Sequence, residues 1–158
     1  MNFNRVVIKV GSALVAPEGK GCSGKYLLAI ARFITQCHEA GKEVVLVSSG
    51  SVAAGRQLIQ HGSANPSVMT KQAMASVGQM KMMANWQRFF DASCSQLLIT
   101  HGDLRDRQRY INIKNTLRVL LENKILPIVN ENDTVATEEL KVGDNDNLAA
   151  LVALVCEA

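Results

Sequence analysis

Short β-branched runs alternate along the chain with longer segments in which apolar residues return every three or four positions. The runs are Val6–Val10, Val44–Val47, Leu97–Thr100 and Ile125–Val129. Each is apolar almost throughout, as expected of a strand covered on both faces in a parallel sheet. Between them, Tyr26–His38 puts Leu27, Ile30, Ala31, Ile34 and Cys37 on one stripe, which predicts a helix with one buried face and a stop at Gly41. A second helix is expected to start near Val52. A third is expected from Val68 to Phe90, with Ala73, Val77, Met80 and Ala84 on its apolar face. Tyr110, Ile113, Leu117, Leu120 and Leu121 mark a fourth stripe. Leu148–Val155 is apolar nearly all round, fitting a fully buried helix or two elements run together. Strands alternating with helices predict βαβ crossovers and an α/β three-layer sandwich with a mainly parallel sheet. No linker or internal repeat divides it. After the last apolar helix another buried strand is expected to pair, so residues 1–158 read as the front part of a larger domain, the alternative being a complete small domain with a C-terminal helix.

Composition narrows the class without changing that picture. With 47% apolar and 20% charged residues, the chain is too hydrophobic to be disordered. Its 17 Lys+Arg against 14 Asp+Glu are scattered, so the net charge of +3 argues for neither nucleic acid nor membrane as a partner. No apolar run reaches the roughly 18 residues needed to cross a bilayer. Met1–Val10 lacks the basic start and long apolar stretch of a secretion signal. Cys22, Cys37, Cys94 and Cys156 are far apart and form no CxxC pair, which favours reduced structural thiols in a cytoplasmic protein over a disulfide framework or zinc site.

Gly19, Gly21 and Gly24 spell a GxGxxG, and Gly19 to Lys25 also spells GxxxxGK. Context rejects both phosphate-binding readings. Such a loop leaves its strand directly, whereas Val10 lies well upstream, and Tyr26 stands where a P-loop needs a hydroxyl for Mg²⁺. The expected structure is a glycine-rich turn capped into a helix at Ser23.

The informative residues sit at the C-terminal ends of strands, where ligands bind in parallel α/β sheets. Lys9 interrupts an apolar strand just before Gly11-Ser12, and burying a lone ammonium would be costly. Ser48-Ser49-Gly50-Ser51 opens a helix with small residues that expose backbone N–H groups to an anion. Asn130-Glu131-Asn132-Asp133 ends the fourth strand with amide and acid side chains that form strands poorly. Val142-Gly143-Asp144-Asn145-Asp146-Asn147 precedes the last helix with more acids and amides than one cap needs. A cation, anion-binding amides and amine-binding acids on one rim suit a zwitterionic amino acid better than a nucleotide. A plain lysine at a strand end, a serine cap and Asx-rich turns are the competing structural readings of these stretches taken singly.

Val7-Ile8-Lys9-Val10-Gly11-Ser12, the run from Val47 to Gly55, Lys71-Gln72-Ala73 with Val77-Gly78-Gln79, Val129 to Asp133 and Lys141 to Leu148 together resemble the glutamate 5-kinase (γ-glutamyl kinase) branch of the amino acid kinase family. The resemblance runs through the whole chain, and the Asn130–Asp133 and Val142–Asn147 pair is its most specific part. It implies ATP-dependent phosphorylation of the γ-carboxylate of L-glutamate to L-glutamyl 5-phosphate, the first step of proline biosynthesis. It further implies ATP and Mg²⁺ as cofactors, a cytoplasmic homo-oligomer and feedback inhibition by proline. By motif position it implies Lys9 at the phosphoryl-transfer centre, with Gly11 beside it toward the cofactor. Ser49, Asp133 and Asn145 correspond to glutamate-binding residues, with Gly50 offering its amide and Asn130 and Asp146 in the same pocket. The nucleotide-binding half, with its second lysine, and the PUA domain of many members are expected beyond Ala158. This chain is thus expected to hold the amino-acid side of the site and to be inactive alone.

The remaining features weigh less. Arg105 to Arg109 is basic but reads as a solvated loop or helix start rather than an RNA contact. Five of six methionines lie between Met69 and Met83, which suggests core packing or a subunit interface. His38, His61 and His101 share no metal-ligand spacing and are expected at the surface or at helix ends. The alternative function is a non-catalytic module that binds glutamate or proline and regulates or oligomerises.

Overall fold

A computed structural model describes residues 2–136 and 145–158. Among these, the order is β1 (Arg5–Val10), α1 (Ser12–Val15), a 3-10 turn (Pro17–Gly19), α2 (Leu27–Glu39), β2 (Glu43–Ser48), α3 (Ser51–Gly55), α4 (Val68–Gln87), β3 (Cys94–Ile99), α5 (His101–Arg105), α6 (Arg107–Glu122), β4 (Leu126–Glu131) and α7 (Asn145–Cys156). The strands form one parallel sheet in the order β1-β2-β4-β3.

The apolar runs are continuous because both sheet faces are covered. Successive side chains of a strand point to opposite faces. Val44 and Leu46 of β2 therefore pack with Leu27, Ile34 and Cys37 of α2 and with Met82 and Trp86 of α4. Val45 and Val47 pack with Leu117 and Leu121 of α6 and with Leu148, Val152 and Val155 of α7. Each such fully buried aliphatic side chain is worth roughly 1.5–3 kcal/mol. The three-layer sandwich read from the sequence is the architecture observed.

Four local expectations are corrected. The third strand begins earlier than Leu97, because β3 lies at the sheet edge and its outward Gln96 and Leu98 are exposed, hiding the strand in a polar stretch. Helix α2 starts at Leu27, with Tyr26 as a cap that makes no side-chain bond. Ser23 instead accepts the Lys25 N–H at 3.2 Å and shapes the preceding turn. Helix α7 is a single helix but only half buried, with Leu154 70% exposed.

The fourth correction concerns α4. Ala73, Val77, Met80 and Ala84 do share a face, but that face is exposed, Met80 by 78%. The buried face carries Met74, Gly78, Gln79, Met82, Asn85 and Trp86. Two glycines decide this. A Cβ on Gly78 would overlap the Ser51 carbonyl, and one on Gly55 would overlap the Met74 carbonyl, so α3 and α4 touch backbone to backbone. That contact turns the glycine side inward. Buried Gln79 and Asn85 are tolerated because each is hydrogen-bonded, Asn85 to the Ser23 carbonyl at 3.2 Å.

Candidate functional site

Each strand delivers its last residues to one rim, and each turn there is fixed differently. The Ser49 N–H donates to the Val10 carbonyl at 2.9 Å, tying the ends of β2 and β1 together. Ser48 faces the core, where its Oγ accepts the Trp86 Nε1–H at 2.9 Å. Ser49 is left facing the rim. Gly50 has φ of 113°, and a Cβ there would sit 3.0 Å from Val15 Cβ, so conformation and space both require glycine. Ser51 opens α3, and its hydroxyl donates to Asp133 Oδ2 at 2.6 Å.

The fourth strand supplies the other wall. Asn130 is 1% exposed at the end of β4. Its Oδ1 accepts from Asn145 Nδ2 at 2.9 Å, and the same Nδ2 donates to Ser49 Oγ at 2.6 Å. Residues from three distant parts of the chain thus meet through one carboxamide. Ser49, Gly50, Asn130, Asp133 and Asn145 all line a single cavity of about 460 Å³.

Lys9 and Asp146 lie elsewhere on the rim. Lys9 Nζ pairs with Asp146 Oδ1 at 2.7 Å, and its side chain is 22% exposed, so the ammonium is neither buried alone nor fully solvated. Neither residue lines the cavity, nor does Gly11, whose hypothetical Cβ would be 3.9 Å from Lys9 Nζ. Residues 141–144, the first half of the acidic-amide motif, lie outside the described residues.

Several residues of the site escaped sequence reading. Ser51 holds Asp133, a role that its place in the hydroxyl-rich run hinted at without giving a partner. Arg56 and Glu131 also line the cavity, and the Arg56 guanidinium donates to the Ala64 carbonyl at 2.9 Å. His101, expected at a surface or helix end, opens α5 with a nearly buried ring 3.5 Å from Glu131 Oε1. Nothing in the sequence marked that pair, because it arises from the register that places Ile99 opposite Glu131.

Chemically, the cavity offers two acids, carboxamides, hydroxyls, a guanidinium and the amides of a tight turn. That set can hold an ammonium and a carboxylate at once. Among the described residues, no three His, Cys, Asp or Glu side chains form a cluster.

The sequence profile of the amino acid kinase family matches residues 4–158. The chain belongs to the amino acid kinase family. Its resemblance extends to individual relatives. A protein of Idiomarina loihiensis named glutamate 5-kinase is 60% identical over 157 residues, 99% of this chain and 42% of the relative. Pseudoalteromonas translucida has a protein named glutamate 5-kinase 1 that is 56% identical over 158 residues, 100% of this chain and 43% of the relative. One of Salinibacter ruber named glutamate 5-kinase is 56% identical over 161 residues, 99% of this chain and 42% of the relative. The amino acid kinase chain therefore spans less than half the length of these curated relatives. No helix among its described residues is long and apolar enough to cross a membrane.

Proposed function

We propose that this chain forms the amino-acid-binding part of a cytoplasmic kinase that phosphorylates the γ-carboxylate of L-glutamate with ATP, giving L-glutamyl 5-phosphate for proline biosynthesis. The observation that carries this reading is the convergence of Ser49, Gly50, Asn130, Asp133 and Asn145 on one cavity. The names of the relatives support it. The nucleotide-binding part, and any PUA domain, would belong to the length of the relatives that this chain does not span.

A carboxylate is already nucleophilic, so this chemistry needs no general base. It needs two anions aligned and the charge of the moving phosphoryl group spread. Asp133 suits the α-ammonium of glutamate. Asn145, with Asn130 behind it, would orient the α-amino acid end. The Gly50 amide and Ser49 hydroxyl suit the γ-carboxylate. Lys9, with the Gly11 amide beside it, would meet charge that develops in transfer. ATP would supply the phosphoryl group at that lysine. Mg²⁺, when bound with ATP, would offset the charge of the phosphates.

Proline shares the α-ammonium and α-carboxylate, so competition at Asp133 and Asn145 would account for feedback. The exposed stripe of α4, continuous with Leu98 on the edge strand β3, supports homo-oligomer formation through a second copy.

The test joins two measurements. Calorimetry of this chain should show L-glutamate binding. A chimera in which residues 1–158 replace the matching part of the Idiomarina loihiensis relative should form ADP only when glutamate is present. Lys9→Ala in that chimera should lower kcat at least 100-fold and change the glutamate KM by less than about threefold. A kcat within about threefold of the parent would refute the role of Lys9. Glutamate binding without turnover in the chimera would favour the regulatory module instead.

A further inference from the structure

A file of carboxamides runs from the outer edge of the sheet to the cavity. Gln96, on the exposed side of edge strand β3, accepts at Oε1 from Gln79 Nε2 at 3.1 Å. Gln79, 7% exposed on α4, accepts at Oε1 from Asn130 Nδ2 at 3.0 Å. Asn130 accepts at Oδ1 from Asn145 Nδ2, which also donates to Ser49 Oγ. From Asn145 through Asn130 and Gln79 to Gln96 every link is donor to acceptor in one direction, so the orientation of each amide fixes the next.

Asn130 is the vulnerable link. Both ends of its carboxamide are buried, and reversing it would set its NH₂ against the NH₂ of Asn145. The Gln79 acceptor is what prevents that reversal from the protein side. Gln79 is itself held at its other end, where its Nε2 donates to Gln96 Oε1 at 3.1 Å. A Gln79 amide that turned to follow Asn130 would set its oxygen against that of Gln96.

We propose that Gln79 is a positioning residue for the amino-acid substrate: by accepting the Asn130 NH₂ it fixes which way the Asn130 and Asn145 carboxamides face the cavity. The role rests on the glutamate-site reading given above. Gln79 does not line that cavity. Its influence passes through Asn130.

The test is L-glutamate calorimetry of this chain carrying Gln79→Met, Gln79→Glu or Gln96→Leu, each with a thermal melt. Gln79→Met keeps the volume and removes the acceptor, so glutamate affinity should fall about tenfold. Gln79→Glu keeps an acceptor for Asn130, while exposed Gln96 can turn its NH₂ toward the new carboxylate. Affinity should then return to within about threefold of the parent. Gln96→Leu removes only the outer link and should cost about twofold. A purely structural role would lower the melting temperature of both Gln79 variants without this acceptor-dependent recovery. Equal affinity of parent and folded Gln79→Met overturns the proposal, as does equal loss in Gln79→Met and Gln79→Glu. If Gln79→Met fails to fold, the Glu and Gln96 variants decide, and a Gln79→Glu affinity more than tenfold below the parent overturns it. No glutamate binding by the parent instead overturns the site reading on which the proposal stands.

Discussion

The two walls of the cavity are held in place by different physics. The Ser49–Ser51 wall is fixed by backbone: a left-handed glycine at Gly50, a main-chain bond from Ser49 to Val10, and a helix pressed against α4 at Gly55 and Gly78. The Asn130–Asp133 wall has main-chain bonds as well, Asn132 N–H to the Ile99 carbonyl at 3.1 Å, but its polar groups are aimed by side chains: Ser51 on Asp133, Gln79 and Asn145 on Asn130. A backbone-built wall is rigid but tolerates no added atoms. A side-chain-built wall tolerates changes of size yet depends on donor and acceptor identity. Sites that must discriminate between similar small molecules benefit from both, one giving shape and the other giving polarity.

Substitutions should separate the two walls. The largest effect is expected from Gly78→Ala, whose new methyl would meet the Ser51 carbonyl and the Gly55 amide. Because the obstruction is main chain rather than a movable side chain, we expect a loss of about 3 kcal/mol in a urea melt. A loss under about 1 kcal/mol would show that the two helices can part without cost. Gly50→Ala comes next, at about 1–2 kcal/mol for the left-handed conformation, with added crowding against Val15. Unchanged stability would mean that the turn can relax to another geometry.

On the other wall, Ser51→Ala should cost only about 1 kcal/mol of stability while weakening L-glutamate binding several-fold, because Asp133 loses its holder. Equal binding by parent and variant would detach Ser51 from the site. The smallest effect is expected where α5 follows β3 onto the same rim. Thr100 and Asp103 form a reciprocal cap there, and Asp103 also pairs with Arg109 at 2.7 Å. Partial burial raises the Asp103 pKa, but bonds from Thr100 and Arg109 outweigh it and hold the carboxyl below its ordinary value. A depressed carboxyl stabilises the fold above its unfolded pKa of about 3.9 and loses that contribution as pH falls through the folded value. Asp103→Asn should therefore cost about 0.5–1 kcal/mol at pH 7 and converge with the parent below the folded pKa. A deficit that persists undiminished at low pH would assign the effect to packing rather than charge.

Much of this molecule was legible in one dimension because its periodicities are strong. The unbroken apolar runs of β2 and β4 announced strands covered on both faces, and the stripes of α2 and α6 gave their buried sides. The candidate rim was legible too, since Lys9, the serine-glycine turn and the Asn130–Asp133 stretch each violate the pattern of the element that carries them. The α4 stripe misled for a definite reason. Hydrophobicity was evenly placed around that helix, and its burial was set by two glycines, which carry no hydrophobic signal of their own.

By itself, then, the sequence determined the layers, the strand-end position of the candidate rim residues and the family, because alternation and breaks in alternation are local properties. Tertiary structure alone decided which face of α4 is buried, which rim residues share a cavity and which stand apart at the Lys9–Asp146 pair. It also decided the direction of the carboxamide file, donor to acceptor from Asn145 to Gln96. Those outcomes depend on distances between residues far apart in the chain, and on which end of an amide faces its neighbour, neither of which composition or spacing encodes.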